Sequence, residues 1–188
     1  MNPDKRRELE ELLAIPGLRL RALSEFAGAR APQEDGATLL ENARIKASAA
    51  VQLTGLPALA DDTGLEVDAL GGAPGVHAAR FAGPKASYAD NVRLLLERLR
   101  GVPSERRTAR FRCVIVALWP DGREKLGEGT LEGRIANSPR GEYGFGYDPV
   151  FEVEGTGQTL AEMTAAEKNA VSHRARAAHA LAAKLTRG

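Results

Sequence analysis

The chain has 188 residues, 43% hydrophobic and 27% charged, which is apolar enough for a sizeable core and excludes wholesale disorder. Lys and Arg number 26 against 25 Asp and Glu, so no basic excess points to nucleic acid or a membrane surface as a partner. A lone cysteine, Cys113, excludes an internal disulfide and a multi-cysteine zinc site, and within the apolar run Phe111–Val116 it reads as a buried thiol.

No stretch approaches the roughly 20 apolar residues of a membrane helix. The opening MNPDKRRELEE lacks the apolar segment of a signal peptide, so a cytoplasmic location is expected. Asn2 to Leu13 reads as a helix, with Asn2 as cap, Pro3 in the first turn and Leu9, Leu12 and Leu13 at helical spacing. After Gly17, Leu18, Leu20 and Ala22 alternate with Arg19 and Arg21 as a short half-buried strand. Gly28 to Gly36 is a polar loop. Thr38 to Leu53 is the next helix, opened by Thr38 and Glu41 at capping-box spacing.

Leu56–Ala60 and Leu65–Leu70 read as two short strands, followed by a Gly71-Gly72-Ala73-Pro74-Gly75 turn. Ser87 to Arg100 is an amphipathic helix with Val92, Leu95, Leu96 and Leu99 inward. Ala109–Trp119 and Glu124–Ile135 form a hairpin about Pro120-Asp121-Gly122. A loop with Gly141, Gly144 and Gly146 leads to a strand near Pro149–Val153. Thr164 to Leu185 reads as one long helix opened by a second capping box, Thr164 with Glu167. No repeat, low-complexity tract or linker interrupts the pattern. One α/β domain over residues 1–188, with a mixed central sheet flanked by helices, is the expected fold.

The chemistry centres on Asp61 and Asp62, adjacent carboxylates at the mouth of the first of those short strands. Buried charge needs a cationic partner or a metal, and a carboxylate here could hold Mg²⁺ and activate water. As a bare dipeptide it reads more readily as a solvated turn. Successive strand residues face opposite ways, so only one of the two enters a given site unless the strand has ended. Glu41 explains itself as half of a capping box or serves as a second carboxylate ligand. Lys5 and Arg6 could meet a phosphate near a helix N-terminus, and Lys46 reads as surface or site.

Gly144-Phe145-Gly146-Tyr147-Asp148-Pro149 could close over an aromatic base or simply cap the core. Lys168, Ser172, His173 and Arg174 form a cationic cluster suited to planar or phosphate oxygens. Residues 168, 173 and 174 do not share one face of a straight helix, so the helix changes course, the ligand wraps its end, or only some of them bind.

Taken in order, Thr38-Leu39-Leu40-Glu41-Asn42-Ala43 with Lys46, Ala60-Asp61-Asp62-Thr63-Gly64-Leu65, the Gly71–Gly75 turn, Ala79-Arg80-Phe81, Gly144–Phe151, and Glu167-Lys168 with Ser172-His173-Arg174 resemble the inosine triphosphate pyrophosphatase family, also called dITP/XTP pyrophosphatases. The resemblance runs over nearly the whole chain. It implies two lobes around a nucleotide cleft in a homodimeric, Mg²⁺-dependent house-cleaning enzyme. Such an enzyme hydrolyses dITP, ITP and XTP to the monophosphate and pyrophosphate, and has no nucleic-acid or membrane partner.

By the same resemblance Asp62 is proton acceptor and metal ligand, and Glu41 the other metal carboxylate. Asn2, Lys5, Thr63, Phe145, Gly146, Tyr147, Asp148, Lys168, His173 and Arg174 take substrate-binding positions. Two departures stand out. The family's first strand, which leads into a Thr/Ser-x-Asn-x-x-Lys loop, is missing here, and His77 replaces the usual Tyr. A longer natural protein upstream of Met1 is the expectation from the first. The alternatives are a related pyrophosphatase of other base preference, or a nucleotide-binding module without catalysis.

Overall fold

The computed structural model describes Leu9 and residues 11–186. Five strands form one sheet in the order β2-β1-β3-β4-β5, where β1 is Ala58–Val67, β2 Pro74–Gly75, β3 Thr108–Leu118, β4 Glu124–Ile135 and β5 Phe151–Val153. β2 pairs antiparallel with β1 (Leu65 opposite Gly75) and β5 antiparallel with β4 (Ile135 opposite Phe151). The helices are α1 (Leu39–Thr54), α2 (Tyr88–Arg98), α3 (Ala165–Val171) and α4 (His173–Leu185). The α/β expectation holds, and so does the β3–β4 hairpin. The chain divides into two compact units, the first from residues 1–62, 113–129 and 173–188, the second from 63–112 and 130–172.

In the first unit β3 is buried on both faces. Val114 and Val116 pack with Ala43 and Ala47 of α1, while Cys113, Ile115 and Ala117 pack with Ala175, Ala178 and Leu181 of α4 and with Leu9, Leu12 and Leu13. Two-sided burial explains the unbroken apolar run at 113–117. The capping box forms as expected: Glu41 N donates to Thr38 Oγ1 at 3.1 Å and Thr38 N to Glu41 Oε2 at 3.2 Å. Gly55, left-handed at φ 66°, ends α1 by donating its N–H to Val51 O at 2.8 Å. α4 lies directly on β4: a Cβ at Gly127 would stand 2.1 Å from Ala177 O, and one at Gly129 2.2 Å from His173 O.

In the second unit the same strands bury one face only. Leu65, Val67, Ala109, Phe111, Leu131, Ile135, Phe151 and Val153 join Val92 and Leu95 of α2, and Leu99 just past its end, in one core. The intervening positions carry a charge ladder in which Arg110 reaches Asp68 (3.0 Å) and Glu132 (3.2 Å), and Arg112 reaches Glu66 (3.3 Å). Ser87 and Asp90 cap the start of α2. The buried Arg107 guanidinium closes its end by donating to Leu99 O and Val102 O.

Three expectations change. The two short strands about Asp61 and Asp62 are one ten-residue strand, because charges inside a strand do not end it when each finds a partner. Residues 18–22 make no strand; Leu18 is 43% exposed and only Leu20 packs against a core, so the alternation has no neighbour to pair with. The long terminal helix breaks at Ser172, which has extended dihedrals (φ −64°, ψ 152°). Serine is a poor interior helix residue and a good helix opener, and α4 begins at the next position. The N-terminal helix expected from Asn2 lies mostly outside the described residues.

Two tests follow from the packing. Gly129→Ala forces a methyl against the backbone of α4 and should cost roughly 1–3 kcal/mol or more, read by urea denaturation. The nearly buried Glu152 bonds both Arg134 and Arg140. Burial pushes its carboxyl up, but the two guanidinium groups outweigh that and leave its pKa below the ordinary 4.5. A depressed carboxylate stabilises above its unfolded pKa and loses that contribution as pH falls through the folded value. Glu152→Gln should therefore flatten the acid limb of a melting-temperature profile below about pH 4.5.

Candidate functional site

The period of β1 separates the acidic pair. Leu59 packs in the cluster with α4 and Ala60 in the cluster with α1, so Asp61 follows the first face and Asp62 the second. Asp62 is 6% exposed, and its two oxygens take different partners from α1. Lys46 Nζ lies 2.6 Å from Oδ1, and Asn42 Nδ2 lies 3.4 Å from Oδ2. Asn42 and Lys46 are four residues apart and share a helix face. The fully buried Asn42 is fixed in turn by Gly36 N, which donates to its Oδ1 at 2.9 Å. A Cβ at Gly36 would come within 2.7 Å of Glu41 Cβ, so the loop passes this close only as glycine.

Glu34, in the loop before α1, comes to the same ammonium: its Oε2 is 3.5 Å from Lys46 Nζ. Burial works against the Lys46 charge, but Asp62, Asp61 and Glu34 prevail and hold its pKa above the ordinary lysine value. Glu41 plays a different part. Its Oε2 accepts from Ala37 N (2.6 Å) and Thr38 N (3.2 Å), tying it to the start of α1. Hence two carboxylates, Asp62 and Glu34, converge on one cationic group.

Among the described residues no cluster of three or more His, Cys, Asp or Glu could hold a metal by itself. Two carboxylates suit Mg²⁺, a hard cation that takes its remaining oxygens from waters and a polyphosphate. Asp62 and Glu41, whose cap uses Oε2 alone, are donors of that kind.

On the other face, Arg174 near the start of α4 is 2% exposed and approaches Asp61 Oδ2 with Nε (3.4 Å) and Nη2 (3.3 Å). His173, the first residue of α4, is 3% exposed.

A second cluster forms within the other unit. Asp148 Oδ2 accepts from Phe145 N and from Lys168 Nζ, both at 2.8 Å. Lys168 Nζ also stands 4.7 Å from the centre of the Phe145 ring, a cation–π contact. Tyr88 lies 6.0 Å from the same ring. Gly144 sits at φ 75°, and a Cβ there would strike Asp148 Oδ2 at 2.2 Å; Gly146 is likewise left-handed at φ 67°. Tyr147 turns inward, donating its hydroxyl to Ala78 O at 2.8 Å, and burial pushes its pKa up. Thr63 is half-buried on β1. Asn2 and Lys5 lie outside the described residues.

The expected residues thus fall in two groups, Glu41, Asp62, His173 and Arg174 in the first unit and Phe145, Gly146, Tyr147, Asp148 and Lys168 in the second. Residue patterns gave Asn42 no role of its own, left Lys46 open between surface and site, and missed Glu34. The first two carry a signal, because the capping box sets the phase of α1 and places 42 and 46 on one face. Glu34 carries none, since an irregular loop has no period.

The chain belongs to the Ham1 family, which it matches over residues 1–184. It is 53% identical over 180 residues to a protein of Thermus thermophilus named dITP/XTP pyrophosphatase, covering 96% of this chain and 86% of that one. A Yersinia pseudotuberculosis protein of the same name is 51% identical, with 94% and 90% covered. A HAM1 protein from Coxiella burnetii superposes with TM-score 0.91 at 42% identity, covering 100% of this chain and 96% of that chain.

Removing Asp148 alone would strand a buried ammonium. Asp148→Ala should cost roughly 3–5 kcal/mol in thermal unfolding, and the Asp148→Leu, Lys168→Met double variant should recover much of it.

Proposed function

We propose that this chain hydrolyses dITP, ITP and XTP to the nucleoside monophosphate and pyrophosphate, clearing deaminated purines from the nucleotide pool. The observation that carries this reading is the Asp62 carboxylate, buried and held between Lys46 and Asn42, in a chain about half identical to relatives named dITP/XTP pyrophosphatase. A binding module without catalysis is not favoured, since those relatives bear the name of an enzyme.

Water attacks phosphorus, the bond to the bridging oxygen between the α and β phosphates breaks, and Asp62 takes the proton that water loses. Lys46 and Asn42 hold that carboxylate still, so no reorganisation is needed as the proton arrives. Glu41 and Asp62 would hold Mg²⁺, since the cap of α1 uses only Oε2 of Glu41; Glu34 pairs with Lys46. When bound, the metal supplies neutralisation of phosphate charge and a more acidic water. Lys5 would steady the leaving pyrophosphate in this reading.

His173 and Arg174 recognise the base. Hypoxanthine and xanthine carry an oxygen at position 6, which accepts their hydrogen bonds, whereas the amine of adenine would meet a donor with a donor. Phe145 supplies a ring for stacking, and Thr63 a hydroxyl. Lys168, bound to Asp148 and set over Phe145, keeps that loop in shape. Among the described residues no helix is long and apolar enough to cross a membrane. A cytoplasmic homodimer completes the proposal; light scattering at twice the mass of one chain would bear out the dimer.

Asp62→Asn should abolish pyrophosphate release from dITP while leaving the melting temperature near that of the parent; near-normal turnover would refute the assignment. Glu41→Gln should raise the Mg²⁺ needed for half-maximal activity more than Glu34→Gln does, and the reverse order would pass the ligand role to Glu34.

A further inference from the structure

From the opposite face of β1, we infer that Asp61 is the positioning residue for base recognition, setting the plane of the Arg174 guanidinium. This rests on the proposed role of Arg174 as a donor to the 6-oxygen.

Asp61 and Asp62 are adjacent, so their carboxylates leave β1 in opposite directions, and each meets a cation on a different helix. Asp62 meets Lys46 of α1 and Asp61 meets Arg174 of α4. The division is a division of labour: one carboxylate serves the reacting phosphate, its neighbour the choice of base.

Arg174 needs such a partner. Its side chain is one of the largest fully buried ones among the described residues, and a guanidinium out of water needs acceptors for its fixed donors, a carboxylate being the strongest. Asp61 Oδ2 lies 3.3 Å from Nη2 and 3.4 Å from Nε, so it addresses the Nε edge of the fork. A guanidinium is planar and its donors have fixed directions, so holding one edge orients them all. The backbone leaves little slack either, because α4 sits against the glycines of β4 at its first and second turns. Arg174 is therefore held at both ends, by its helix at Cα and by Asp61 at the guanidinium. A donor aimed this way donates to a carbonyl oxygen in one place and leaves an amine there unpaired, which is how geometry becomes specificity.

The test compares Asp61→Asn, Asp61→Glu, Arg174→Gln and the Asp61→Asn, Arg174→Gln double variant on ITP, XTP and ATP, after thermal melting has shown each to be folded. Asp61→Asn should raise KM for ITP and lower the preference for ITP over ATP by roughly 10-fold or more, with kcat on ITP held within about threefold. Asp61→Glu, which keeps the charge, should restore part of the preference. The double variant should be no worse than Arg174→Gln alone, since both changes remove one interaction. Calorimetry supplies a readout apart from turnover: Asp61→Asn should weaken inosine monophosphate and leave inorganic pyrophosphate binding unchanged.

A loss of kcat at unchanged KM and base preference would overturn the inference and place Asp61 with the reacting phosphate. Effects of the two single variants that multiply in the double variant would overturn it as well. If Arg174→Gln itself leaves base preference intact, the base-donor reading of Arg174 fails, and this inference fails with it.

Discussion

A β-strand sends consecutive side chains to opposite faces, and in this protein that rule acts on two carboxylates in the middle of one strand. Were Asp61 and Asp62 in a loop, both could turn to the same ligand and repel each other. In β1 they cannot. Each face must then provide a cation within the reach of a salt bridge, and each does, Lys46 from α1 and Arg174 from α4. The burial of β3 on both sides in this unit follows the same plan, since helices must lie on both faces for both carboxylates to be served.

Buried charge is the second theme. An isolated ion in the interior is costly, whereas a paired one with further hydrogen bonds is tolerable and well placed. Asp62 has an ammonium and an amide, and Asp148 has an ammonium and a backbone N–H. In both cases the partner that gives rigidity is next to a flexible-looking stretch, the loop before α1 or the glycine loop before β5. Glycine allows the close approach in each, at Gly36 and at Gly144. Polar pairs, rather than regular secondary structure, hold these loops in place.

Much of the fold was legible where one rule governed. The hairpin, α1 and α2 follow from alternation, capping boxes and apolar spacing, and the structure has them within a residue or two. β3 even records its surroundings: Thr108-Ala109-Arg110-Phe111-Arg112 alternates where one face is wet, and Cys113–Ala117 is apolar throughout where both are covered. Illegible were features decided at a distance. Nothing local tells that Asp61 and Asp62 stay within a strand, because their cations come from residues 46 and 174. Ser172 was passed over because the apolar spacing of the two helices runs on through it. Asp62 and Arg174 were visible through motif order and Lys46 as a residue of surface or site; Glu34 became visible only once the chain was folded.

The two glycines of β4 beneath α4 have an evolutionary consequence. A helix spaced from its sheet by leucines can shift as those leucines drift to isoleucine or methionine, and whatever it carries shifts too. α4 rests backbone to backbone on Gly127 and Gly129, with alanines alongside, so there is almost no side-chain volume there to vary. The height of α4 is written in main-chain atoms. Its first turn, with His173 and Arg174, is thereby insulated from side-chain drift on the β4 side. The reverse also holds: one added methyl at either glycine would move both residues together, making these two small positions unusually intolerant ground for a lineage that must keep its base preference.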